Sequence, residues 1–111
     1  TGLVGDPDYP FHICTYNDYC EGPTCSRDAA SFIVYLEHAN GRPLLEMARV
    51  NPSASMTTLN DGIAFETAGG EISGTLTIYG NRQMDFVGTS GDADAPIEHF
   101  GTGKCERLKT P

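Results

Sequence analysis

The chain has no long apolar run. No stretch approaches the roughly 18 apolar residues of a membrane span; the longest candidate is Phe32 to Leu36, which predicts a protein without membrane insertion. Positive charge is scarce too. Seven Lys plus Arg stand against fifteen Asp plus Glu, a net charge of -8. Such a surface repels nucleic acid and anionic lipid.

Local catalytic signatures are also missing. Gly101-Thr102-Gly103-Lys104 matches the end of a phosphate-binding loop, but Glu98 stands where that loop needs glycine, and Cys105 where Ser or Thr would bind magnesium. Gly88-Thr89-Ser90-Gly91 is not a nucleophile elbow, which needs one residue on each side of the serine between the glycines, so Ser90 reads as a turn residue. His12, His38 and His99 form no His-x3-His or His-x-His pattern. Pro52 spoils Asn51-Pro52-Ser53 as a glycosylation acceptor. Thr1 to Gly5 has neither the basic start nor the apolar centre of a secretory signal, the expected appearance of a processed or truncated chain. These absences predict a protein that is not an enzyme and uses no cofactor.

What is present suits one small domain. A chain of 111 residues, 39% hydrophobic and 20% charged, can bury one core, and wholesale disorder is excluded. Cys14, Cys20, Cys25 and Cys105 form an even set. Four cysteines allow three connectivities, among which sequence alone does not choose. Chain reversal leans toward one of them: Gly22-Pro23 lies between Cys20 and Cys25 and can bring their sulfurs together, leaving Cys14 for Cys105. A zinc site built from His12 and the early cysteines is the competing reading. Its spacing is poor: a zinc knuckle places two to four residues between paired cysteines, five separate Cys14 from Cys20, four separate Cys20 from Cys25, and no second pair exists. Disulfides imply an oxidising compartment, periplasmic or secreted.

Residues 1–10 hold Gly2, Gly5, Pro7 and Pro10 and read as an extended lead-in to a single β domain over 11–111. Phe11 to Tyr16 reads as a short strand entering the cysteine-rich loop. Residues 28–39 are ambiguous. Ala29, Phe32, Ile33 and Leu36 fit one helical face, but Phe32-Ile33-Val34-Tyr35 is a β-branched and aromatic run, and Asn40-Gly41 is a strong hairpin signal before Leu44 to Val50. Two strands are expected there, with a short helix at 28–39 as the alternative.

Beyond Asn51, turn signals recur at intervals of about ten residues. Ile72, Gly74, Leu76 and Ile78 alternate with Ser73, Thr75, Thr77 and Tyr79, and Gly80-Asn81 should turn this strand onto Arg82 to Thr89 as a two-residue hairpin. Ile97 to Leu108 supplies the last strand. The prediction is an all-β, disulfide-stapled fold: a small antiparallel up-and-down barrel or β-clam of about eight short strands, with a β-sandwich as the alternative. Closure of the sheet would leave no exposed edges.

An interior of Phe32, Val34, Leu36, Leu76, Ile78 and Phe86 would be filled by its own side chains, so binding is expected on the surface. His12 and His99 fall on the first and last strands, and two surface histidines are expected there. Tyr9, Phe11, Tyr16 and Tyr19 are read as packing around the disulfide loop rather than as a binding patch. Asp92, Asp94 and Glu98 offer oxygen ligands without the spacing of a calcium loop, and are expected to face solvent. The functional expectation is an extracytoplasmic, non-catalytic binding module that inhibits a cationic protein partner. Glu21, Asp92, Asp94 and Glu98 are the partner-binding candidates. The alternative is a small-molecule or metal-binding periplasmic β-barrel protein.

In its size, acidity, expected barrel and cysteine near each end, the chain resembles the periplasmic inhibitors of c-type lysozyme. Ser73-Gly74 followed by Tyr79 resembles their Ser-Gly-x-x-Tyr element with two extra residues inserted. The Cys14-Cys20-Cys25 cluster departs from their pattern, so membership is not assigned.

Overall fold

Alternation sets the architecture. In the strand Ile72–Tyr79, Ile72, Leu76 and Ile78 are buried, while Ser73, Thr75, Thr77 and Tyr79 are only partly so. A computed structural model describes residues 11–27, 30–36, 43–92 and 94–108. The expected lead-in over 1–10, Tyr9, His38 and the Asn40-Gly41 turn lie outside the described residues. Nine strands are described: β1 (Phe11–Glu21), β2 (Thr24–Ser26), β3 (Ser31–Tyr35), β4 (Leu44–Glu46), β5 (Ser55–Leu59), β6 (Gly62–Thr67), β7 (Ile72–Tyr79), β8 (Gln83–Ser90) and β9 (Ile97–Leu108). No helix occurs among the described residues, so none is long and apolar enough to cross a membrane.

Eight strands form one antiparallel sheet in the order β4-β3-β1-β9-β8-β7-β6-β5, and β2 folds back onto β1. The sheet curls into a half-barrel. The first and last strands meet, as closure of a meander requires, with Cys14 opposite Cys105 in the register of β1 and β9. The opening falls instead between β4 and β5, so the expectation of a sheet without edges is corrected. The chain crosses that gap as irregular backbone. There Val50 bridges Ile72, Leu44 bridges Ser53, and the Ile72 N–H donates to the Arg49 carbonyl at 2.9 Å.

Residues 31–35 are strand, and β3 pairs with β4 through Val34 opposite Leu45. The β-branched run prevails over the helical spacing because this pairing sets Phe32, Val34 and Leu36 against the core. The expected first strand ends too early. β1 continues past Tyr16 to Glu21 because β9 supplies a partner along its whole length, with a register shift between Tyr16 and Asp18. β1 and β2 turn over Gly22-Pro23, with Glu21 opposite Thr24. Gly22 has φ 59°, and with the fixed φ of proline after it this matches a type II′ hairpin.

Two disulfides join Cys14 to Cys105 and Cys20 to Cys25. The register shift places them on opposite faces. Cys14 and Cys105 are buried inside the half-barrel, whereas Cys25 is exposed on the outer face. Two disulfides are consistent with an oxidising, extracytoplasmic compartment.

The interior is filled. Phe65, Phe86, Leu45, Leu76, Ile78 and Val34 are fully buried, and burial of each such side chain contributes about 1.5–3 kcal/mol. The Thr67 hydroxyl donates to the Asn51 carbonyl at 2.7 Å, satisfying a buried polar group.

The β7–β8 hairpin corrects the expected two-residue turn. Ile78 pairs with Met84, which leaves a three-residue loop of Gly80, Asn81 and Arg82. The Arg82 N–H donates to the Tyr79 carbonyl at 2.9 Å, and Arg82 itself has φ 74°. This is a turn followed by one left-handed residue, a position that favours glycine. Arg82→Gly is therefore expected to raise stability by about 0.5–1 kcal/mol. Urea unfolding measures it, and a loss of stability would show that the Arg82 side chain contributes more than the backbone strain costs.

Candidate functional site

The end of the half-barrel where β1 and β8 finish and β7 and β9 begin gathers the residues with chemistry to offer. The register shift in β1 turns both Tyr16 and Tyr19 inward, although they are three positions apart. Their rings meet edge to face at 5.0 Å, and Tyr16 lies 5.3 Å from Phe32. Gly101 makes room for them, since a Cβ there would stand 2.5 Å from Tyr16 Cε1. The Tyr16 hydroxyl reaches Met47 Sδ at 3.4 Å. Burial pushes the phenols of both Tyr16 and Tyr19 up, and Arg49 opposes this at Tyr19. The aromatic cluster is thus partly packing, as expected, and partly the wall of a cleft.

That cleft holds about 290 Å³ and is lined by Tyr16, Tyr19, Phe32, Met47, Arg49 and Ile72 among others. Ligand pockets typically run from about 300 to 1,000 Å³, so it fits one large side chain or a small ligand group. A larger hollow, about 570 Å³, opens between the hairpin turns at Asn60-Asp61 and Gly80-Asn81. Leu59, Tyr79 and Gln83 join the two turns in its wall, and Tyr79 is its one aromatic.

Behind the cleft lies a chain of hydrogen bonds. His99 is buried, with Nδ1 2.7 Å from the Tyr19 hydroxyl and Nε2 2.7 Å from Ser90 Oγ. Hydroxyls both donate and accept, so either tautomer of the imidazole is satisfied. The Ser90–His99 spacing matches that of a nucleophile and its base. Ser90 is 7% exposed and His99 1%. Ser90 is the inward-facing end of β8 rather than the expected turn residue.

Arg49 closes one side. It sits in a left-handed conformation, φ 72°, and pairs with Glu21 at 2.8 Å and with Glu71. These pairs are partly exposed and contribute little to stability, but they orient two carboxylates at the cleft rim.

The partner-binding candidates gather at this same end. Glu21 closes β1, half-exposed, with Oε1 3.7 Å from His99 Nε2. Glu98 is exposed at the start of β9, and its carbonyl accepts the Gly22 N–H at 2.7 Å. Asp92 and Asp94 are exposed on the loop between β8 and β9. Among the described residues no three of His, Cys, Asp or Glu converge as metal ligands.

The expected surface histidines are corrected. His12 and His99 are each 1% exposed because the alternation of β1 and β9 turns both inward. Nor do the strands bring them together: His12 pairs with Arg107, and His99 pairs with Glu21 at the other end of the ladder. Arg49 and Met47 escaped the sequence reading as cleft residues, and Ile72 entered it only as a core position of its strand. No local motif marks them, and only the unpaired segment between β4 and β5 carries Arg49 to the cleft. No family model, curated protein or solved structure matches the chain.

Proposed function

We propose that this protein is a periplasmic or secreted, non-catalytic module that binds a cationic protein. One apolar side chain of the partner anchors in the cleft, and the surrounding carboxylates steer it. The observation that carries this reading is an open, aromatic-walled cleft of about 290 Å³ at the same end of the sheet as Glu21, Asp92, Asp94 and Glu98. The filled interior supports surface binding over an internal ligand. Buried aromatic anchors surrounded by a polar rim dominate the energetics of protein interfaces, while rim charges act mainly on the rate of encounter.

The test separates anchor from rim. Partners are captured by cross-linking from native extracytoplasmic extract, and binding kinetics are then measured at several salt concentrations. Exchanging Glu21 and Glu98 for Gln and Asp92 and Asp94 for Asn is expected to lower the on-rate about tenfold and flatten its salt dependence. Ala48→Trp places bulk on an exposed residue of the cleft and is expected to raise the off-rate about tenfold. Unchanged affinity and salt slope in the first variant would leave the carboxylates with solubility as their only role. An unchanged off-rate in the second would remove the cleft from the interface.

A further inference from the structure

The two edges of the half-barrel differ. At the β4 edge the chain covers itself: the Leu45 N–H donates to the Pro52 carbonyl at 2.9 Å, and Leu44 bridges Ser53. At the other edge, β5 pairs with β6 alone among the described residues. All five residues of β5 are exposed, Met56 by 43% and Leu59 by 39%. Exposed edge strands are ordinarily guarded by charge, proline, a bulge or a covering segment. Ser55-Met56-Thr57-Thr58-Leu59 contains no charge and no proline, and its register with β6 runs unbroken from Ser55 opposite Glu66 to Leu59 opposite Gly62.

We propose that β5 pairs edge to edge with the β5 of a second copy, antiparallel and centred on Thr57, joining two half-barrels in a two-fold dimer. Centring on Thr57 sets that residue opposite itself and Met56 opposite Thr58 of the partner subunit. Met56 and Thr58 share a face, being paired with Phe65 and Ile63 of β6, so the inner faces of both copies stay on one side of the joined sheet. The contact is isologous, and threonine pairs suit such a ladder. Charge selects a second copy over a basic strand. β5 carries no carboxylate for a cation to pair with, whereas two copies meet through neutral rows.

Each copy still carries a net charge of -8, so added salt strengthens this association by screening. That response is opposite in sign to the one proposed for the cationic partner, so either reading can fail without the other. Two five-residue strands make an interface well below the roughly 1,600 Å² of a standard complex, so the dimer is weak and concentration-dependent.

Sedimentation equilibrium of the full chain from about 10 μM to 1 mM, at low salt and at about 0.5 M salt, tests the proposal. The weight-average mass should rise from 11.9 kDa toward twice that value, and rise further at high salt. Thr57→Lys sets two ammonium groups face to face and should weaken association at least tenfold, with circular dichroism confirming the fold. Val87→Lys, at an outward position of β8 that is 54% exposed, should leave association unchanged. Amide exchange at residues 55–59 should slow as concentration rises. A monomer at every concentration overturns the proposal, as does a Thr57→Lys variant that associates like the wild type. Loss of association in Val87→Lys overturns it too, by moving the contact to the outer face of β8 and β9.

Discussion

Replacing Cys14 and Cys105 together by alanine is expected to lower stability by about 4–5 kcal/mol, while replacing Cys20 and Cys25 costs about 2 kcal/mol. The bridges differ in the loop each closes, spanning 91 positions in one case and 5 in the other. The longer cross-link removes far more freedom from the unfolded chain. Total stability is about 5–15 kcal/mol for a domain of this kind, so the first variant is expected to lose from about a third to nearly all of it. The bridges also differ in access. Cys14 and Cys105 are 0% and 2% exposed, whereas Cys25 is exposed on the outer face. Mild reductant should open Cys20–Cys25 in the folded protein and leave the inner bridge closed. Urea unfolding of both double variants, with thiol trapping of the wild type, measures these differences. Equal losses from the two pairs would mean that the closed loop does not set their contribution.

Acidification from pH 7 to pH 4 is expected to remove about 3 kcal/mol through His12 alone. Burial and, to a lesser degree, the Arg107 guanidinium hold the His12 imidazole down to about 4, from an ordinary value of 6.5. Between those values the unfolded chain binds a proton that the folded chain refuses. The contribution of His12 is therefore fully present above about pH 6.5 and is lost as pH falls through about 4. His12 Nε2 is buried without a hydrogen-bond partner among the described residues, so an apolar replacement forfeits no hydrogen bond at that atom. His12→Leu should match or exceed wild-type stability at pH 7 and show a flatter pH profile between 6.5 and 4. Carboxylates also titrate at the acid end, so the difference between the two proteins is the informative quantity. Parallel profiles would rule out His12 as the acid-sensitive group.

The hydrophobic alternation of β7 was legible in the residues, and so was the extent of β9 as the last strand; the disulfide pairing was legible as a preference among three connectivities, because Gly22-Pro23 permits a reversal between Cys20 and Cys25. The facing of individual side chains was less so. One extra residue in β1 lets Tyr16 and Tyr19 share a face, and a bulge of this kind leaves no trace in a simple period of two. On β9, Phe100 looks like a core residue but is 50% exposed. Cys105, Gly103, Gly101 and His99 take the inner positions, and at Gly101 the rings of Tyr16 and Tyr19 need the space that glycine leaves. The candidate cleft depended on tertiary structure throughout. Arg49 reaches Glu21 and Glu71 by backbone that belongs to no strand, and its left-handed conformation is one that arginine rarely adopts.

The position of β9 bears on how the protein is made. It is synthesised after every other described strand, yet it lies mid-sheet between β1 and β8. Until it arrives, the strands from β1 to β4 and those from β5 to β8 are two fragments linked only by the chain and the bridges of the gap. Cys20 and Cys25 can oxidise as soon as β2 turns back on β1. Cys14 must wait for Cys105, and during that wait it can attack the Cys20–Cys25 bridge and scramble it. Correct maturation therefore favours a compartment that reshuffles disulfides as well as forming them, and the last strand to emerge both joins the two fragments and locks the pairing.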